Sequence, residues 1–163
     1  MRRSHAFTLL ELLVTLALLA LLTSLAAPPM ARLVADQQLS SQANSWLGLA
    51  LYARQEAMRQ GRPVQLCQWR DNRCISDNHT PWSVLPITAD SDQDILRSLQ
   101  LSGRAIRQHS NRRRYVFHPR GHATNGNLTL CDSQSRVQAR RVVLNMAGRP
   151  RVQRLPAPGA CPQ

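Results

Sequence analysis

Apolar and polar positions divide the chain into three stretches of different period. Residues 6–27 are apolar almost without a break, and these 22 positions carry one charge, Glu11. A run of that length spans a bilayer as a helix. Arg2, Arg3 and His5 precede it, which leaves this end in the cytoplasm and sends the rest outward. Pro28 and Pro29 follow. A proline removes an intrahelical hydrogen bond and crowds the preceding turn, so the doublet divides this segment from the next. From residue 30 to 60, Leu39, Ala43, Trp46, Ala50, Ala53 and Ala57 recur in steps of four and three, which is one face of a helix. Arg32, Asp36, Arg54, Glu56 and Arg59 fall on the other faces, Gly61 suits the cap, and Pro63 forbids continuation.

Beyond Pro63 the period shortens. Residues 64–69, 95–101, 115–118, 127–131 and 141–146 read as strands, with Pro, Gly, Asn, Asp or Ser between them. The Leu-x-x-Leu-x-Leu of 95–101 also fits one helical turn. The pattern predicts an α+β architecture, a long helix laid on antiparallel sheet. A length of 163 residues suits one such domain with an appendage.

Charge sharpens this picture. The formal net charge is +12, and all 21 basic residues are arginine. Residues 1–103 hold nine Arg and eight acids, whereas residues 104–163 hold twelve Arg and only Asp132. A basic half of this kind points to an anionic partner. Aromatics are 4% of the chain, so widespread base stacking is excluded.

Glu11 is the odd residue of the apolar run, because a carboxylate in hydrocarbon costs several kcal/mol unless paired. The sequence Ala6-Phe7-Thr8-Leu9-Leu10-Glu11 resembles the processing site of type IV prepilins and type II secretion pseudopilins. The resemblance implies a basic leader, residues 1–6, cut by a prepilin peptidase between Ala6 and Phe7, with Phe7 then methylated. Ala6 stands where the family usually has Gly. The same resemblance makes Glu11 the assembly residue that neutralises the amino terminus of a neighbouring subunit. It implies a transmembrane or filament-core helix over 7–29 and a periplasmic or extracellular globular domain over 30–163. The chain would sit in the inner membrane before assembly and in the pilus afterwards, beside other pilins.

The resemblance narrows further along. Residues 53–64, then Cys67, look like the helix-to-strand junction of FimT/GspH-type minor pilins. Phe117-His118-Pro119-Arg120-Gly121, Leu128-Thr129-Leu130-Cys131 and Gly148-Arg149-Pro150-Arg151 follow in that family's order. The implied fold is the type IV pilin fold.

Four cysteines outside the cytoplasm favour disulfides, and three connectivities are possible. We favour Cys67–Cys74, which closes a hairpin-sized loop, and Cys131–Cys161, which pins the tail to a strand. Loop entropy gives about 2.5 kcal/mol for the first and about 3.5–4 kcal/mol for the second. Zinc is disfavoured, since no Cys-x-x-Cys pair accompanies His118 and His122. Nucleophile motifs, phosphate loops and dinucleotide fingerprints are absent from the sequence, so the expectation is a non-enzyme without cofactors.

The sharpest basic element is Gly148-Arg149-Pro150-Arg151. Gly148 permits a tight turn, and Pro150 holds Arg149 extended. Two residues along an extended chain is roughly 6.6 Å, close to the spacing of successive phosphates. In FimT-type minor pilins a Gly-Arg-x-Arg tail motif is associated with DNA capture by competence pili, which implies Arg149 and Arg151 as DNA contacts. Charge adds Arg112, Arg113, Arg114, Arg140, Arg141 and Arg154. Such binding is electrostatic and blind to sequence. The rival expectations are a GspH-like pseudopilin or priming tip subunit with no DNA role, and a membrane protein that binds acidic lipid or polysaccharide.

Overall fold

The structure is a computed structural model that describes residues 8–77, 79–87, 94–101 and 106–158, without the side chains of 25–28 and 157–158. Ala6, Phe7, Asp90, Asp92, Arg104 and Cys161 lie outside the described residues.

The helix α1 runs Leu9–Gln60 and includes the proline doublet within its assigned length. Thr8 caps its start, since the Glu11 amide donates to Thr8 Oγ1 at 3.2 Å. Glu11 thus sits in the first turn, where the helix dipole favours a carboxylate. Two compact units share this helix, the first ending at Val34 and the second beginning at Ala35. In the first unit Leu9, Leu10, Leu12, Leu13 and Leu16 are all more than half exposed. Among the described residues no single helix is long and apolar enough to cross a membrane. Leu9–Ser24 and Pro29–Gln60 meet length and composition only as a broken pair.

The second unit carries the core. Every helix position expected to face inward is buried there: Leu39, Ala43, Trp46, Ala50, Ala53 and Ala57. Small alanines let the helix backbone approach the sheets, and Trp46 fills the centre. Its ring meets Trp82 edge-on at 5.6 Å and Tyr115 at 5.3 Å. Such pairs add to area burial because the positive ring edge faces the negative ring plane. Gly61 leaves the helix at φ 64°, a conformation that costs other residues more.

Two antiparallel sheets cover this helix face. The first contains β1 (Val64–Arg70), β2 (Arg73–Ile75), β3 (Trp82–Pro86), β4 (Arg97–Leu99) and β6 (Arg114–Phe117). Its order is β2-β1-β3-β4, and β6 also pairs with β1. The second contains β5 (Ile106–Ser110), β7 (Gly126–Asp132), β8 (Gln138–Leu144) and β9 (Pro150–Pro158), in the order β5-β7-β8-β9. Val64, Leu66, Trp82, Val84, Tyr115 and Phe117 from the first sheet join Leu128, Leu130, Val142 and Leu144 from the second in one core. The Tyr115 hydroxyl links the sheets by donating to the Asn127 carbonyl at 2.8 Å. Burial of that phenol pushes its pKa up to about 12.

The α+β expectation stands, with four strands added that periodicity did not mark. β9 contains Pro150, Pro156 and Pro158, which argue against a strand, but it is an edge, where a missing N–H costs no ladder bond. β5 is mostly polar, and β2 has three residues. The 95–101 run contributes only the three residues of β4.

The polar helix positions are not simply solvated. Asp36 receives Arg140, Glu56 is buried against Arg59, and Arg54 Nε donates to the Gly121 carbonyl at 3.0 Å.

Candidate nucleic-acid interface

The hairpin between β8 and β9 is organised by Asn145. Its carbonyl accepts from the Gly148 amide at 2.9 Å, and its Oδ1 accepts from the Arg149 amide at 2.9 Å. Gly148 adopts φ 68° and packs on the Gly121 carbonyl. Arg54 holds the same carbonyl, so α1 fixes the turn of the hairpin while the adjacent Arg149 side chain stays exposed.

Register then decides which arginines face outward. Val143 pairs with Arg151, Arg141 with Gln153 and Thr129, and Thr129 with His109. The alternate positions Leu128, Leu130, Val142 and Leu144 are buried towards the helix. By the alternation of a strand, Arg107, His109, Arg141 and Arg151 therefore lie on the face turned away from α1. Arg141 Nε reaches Thr129 Oγ1 at 3.3 Å. The two Arg residues at the strand edges, Arg107 and Arg151, are exposed and form no ion pair among the described residues.

The end of this sheet adds polar groups that the charge pattern did not reveal. Asn111, Asn125, Asn127, Asn145 and Met146 line a shallow depression of about 370 Å³, and among the described residues no carboxylate lines it. Asn111 Oδ1 accepts from the Asn127 amide at 2.7 Å, and Arg112 Nε donates to the Asn125 carbonyl at 3.3 Å. The fold thus brings Arg112 to the same sheet end as the Arg149 hairpin. Amide groups set between guanidinium groups can donate to phosphate and sugar oxygens without reading bases. An asparagine cluster has no periodic signature, which is why only the turn geometry exposes it.

Four expected contacts belong elsewhere. Arg140 is buried, and its Nη2 meets Asp36 Oδ1 at 2.5 Å while Nε donates to Ser40 Oγ at 3.2 Å. Strand alternation turns it inward, opposite to Arg141, so it cannot reach a phosphate. Arg113 and Arg114 stand beside the first sheet, away from the hairpin, where they line a separate cleft. Arg154 shares the inner side with Arg140 and lies 3.6 Å from Asp36 Oδ2, although its side chain is exposed. Arg136 is also neutralised locally: its guanidinium grips Asp132 at 2.8 Å and holds that carboxyl below the usual range.

The Cys67–Cys74 disulfide is present, with Cα atoms 5.6 Å apart. Cys131 is disulfide-bonded too, and Cys161 lies outside the described residues.

Comparison with known proteins gives the context of this surface. The family model described as type II transport protein GspH matches residues 42–148, and that of the prokaryotic N-terminal methylation motif matches residues 1–27. No curated protein sequence matches the chain. The fold is similar to a crystal structure of the type IV minor pilin FimU of Pseudomonas aeruginosa. That likeness has a TM-score of 0.57 and 21% identity, covering 77% of this chain and 96% of the other. It is also similar to the minor pseudopilin EpsH from the type 2 secretion system of Vibrio cholerae. Here the TM-score is 0.53 and the identity 16%, covering 75% of this chain and 98% of that one. With a long amino-terminal helix, two antiparallel sheets and a family match over most of its length, the chain belongs to the GspH family of minor pilins and pseudopilins.

Proposed function

We propose that this chain is a minor pilin of a type IV pilus that binds extracellular DNA for uptake in natural transformation. The observation that carries the reading is the asparagine-lined depression flanked by Arg112 and the Arg149 hairpin, with Arg151 on the adjoining outer face. Counterions released from phosphates by these guanidinium groups supply the affinity, and sequence plays no part. The protein works as a filament subunit rather than an enzyme. Prepilin peptidase cuts between Ala6 and Phe7, the inner membrane holds the chain before assembly, and Glu11 meets the amino terminus of a neighbouring pilin. The exposed leucines of the first unit then find cover in hydrocarbon or in neighbouring subunits.

The test is an anisotropy titration of labelled duplex DNA with the full chain in neutral detergent. Arg149→Ala with Arg151→Ala is expected to weaken binding at least about tenfold, since two phosphate contacts are removed. Unchanged affinity removes the hairpin from the mechanism.

A second reading is a secretion pseudopilin with no DNA role. The family match ends at Gly148, so membership is independent of Arg149 and Arg151. Absence of duplex binding by the unaltered protein selects this reading.

A further inference from the structure

The first sheet carries a second arginine cluster. On β1, Val64 and Leu66 enter the core, while Gln65, Cys67 and Trp69 alternate to the opposite face. The two-residue turn Asp71-Asn72, at φ 51° and 55°, returns the chain as β2, with Trp69 opposite Cys74. Both positive φ values match the turn type that continues strand twist in a hairpin. The disulfide from Cys67 to Cys74 ties the two strands together. Along the same edge of β1, Arg114 of β6 pairs with Cys67.

Together Trp69, Asn72, Arg73, Arg113 and Arg114 line a cleft of about 430 Å³ that, among the described residues, no carboxylate lines. That volume falls within the range of ligand clefts, about 300–1,000 Å³. Arg73, Arg113 and Arg114 are exposed and form no ion pair among the described residues. Three like charges around one cleft repel one another until an anion enters. Of the three tryptophans, Trp46 and Trp82 are buried in the core, and Trp69 alone is partly exposed.

We propose that this cleft binds one nucleotide unit of single-stranded DNA, its phosphodiester on the guanidinium forks and its base stacked on Trp69. A duplex cannot use the site, because its bases are already stacked and paired. The inference builds on the DNA-binding reading but uses different residues. The turn over residues 111–114 joins the two surfaces: Arg112 reaches the asparagine depression, and the next two arginines line the cleft. A strand leaving the cleft therefore continues along one basic turn to the hairpin, which favours one polyanion over two unrelated ligands.

The test uses the full chain in neutral detergent and oligodeoxythymidylate of about 12 nucleotides. Saturation is expected to quench the accessible part of the tryptophan emission and shield it from acrylamide, because only Trp69 is within reach. Trp69→Ala is expected to weaken oligonucleotide binding about tenfold, with duplex affinity changed less than about twofold, and Trp69→Phe to restore most of the loss. Arg149→Ala with Arg151→Ala is expected to weaken duplex binding while the quenching still saturates. That arm separates failure of the hairpin reading from failure of the cleft. Unquenched emission at saturating oligonucleotide overturns the proposal, as does full oligonucleotide affinity in Trp69→Ala. Quenching by an oligogalacturonate but not by the oligonucleotide also overturns it and makes the cleft a site for acidic sugars.

Discussion

The carbonyl oxygen of Gly121 occupies the place where a side chain on Gly148 would begin. Gly148 also holds φ 68°, so two independent constraints demand glycine in the turn of the arginine hairpin. Gly148→Ala is expected to cost about 2–3 kcal/mol, combining left-handed strain with displacement of the Gly121 carbonyl from Arg54. Urea unfolding measures this. Arg149→Ala, exposed one residue later, is expected to change stability by less than about 0.5 kcal/mol.

Asp36 holds two arginines of unequal burial. The Arg140 side chain is 4% exposed and that of Arg154 is 62% exposed. Asp36→Ala strands a buried guanidinium and is expected to destabilise by about 3 kcal/mol. Arg154→Ala breaks an exposed pair and is expected to cost under about 1 kcal/mol. Replacing both partners, Asp36→Leu with Arg140→Met, is expected to recover most of the loss in the same denaturant series. Duplex affinity of Arg140→Met alone, compared with the unaltered chain at equal folded fraction, is expected to stay within about twofold.

Salt reports how many phosphates the hairpin face neutralises. Three or four contacts predict a slope of roughly −3 to −4 for log affinity against log salt on duplex DNA. The Arg149→Ala, Arg151→Ala variant is expected to reduce the magnitude of that slope by about 2. A slope near zero in the unaltered chain excludes an electrostatic mode.

Acid stability has a local source in Glu56. Its carboxyl is held at about 2, against an ordinary 4.5, by the Arg59 guanidinium first and then by the Gln60 amide, which together outweigh burial. A folded-state pKa below the unfolded one contributes stability that is complete above pH 4.5 and lost as pH falls towards about 2. Arg59 is 71% exposed, so solvent screening reduces the contribution to about 1 kcal/mol. Glu56→Gln is expected to lower stability by that amount at neutral pH and to flatten the decline across this acid window. Thermal melts between pH 2 and 7 resolve both effects.

Local spacing alone marked the buried helix stripe from Leu39 to Ala57 and favoured the short disulfide hairpin at Cys67 and Cys74 over the other pairings. Both depend on neighbours within a few residues, where period and chain entropy act directly. The amino-terminal motif was equally legible, because its meaning lies in contiguous residues. Strand register was not. Arg140 and Arg141 are adjacent and chemically identical, yet one is buried on Asp36 and the other faces outward. A period of two fixes that they oppose each other, but only pairing with β7 and β9 decides which one meets the helix. The same holds for Arg112, Arg113 and Arg114, which the crossing between the two sheets divides between the asparagine depression and the tryptophan cleft. Composition counted their charge, whereas long-range pairing, with no local signature, allotted it to two surfaces.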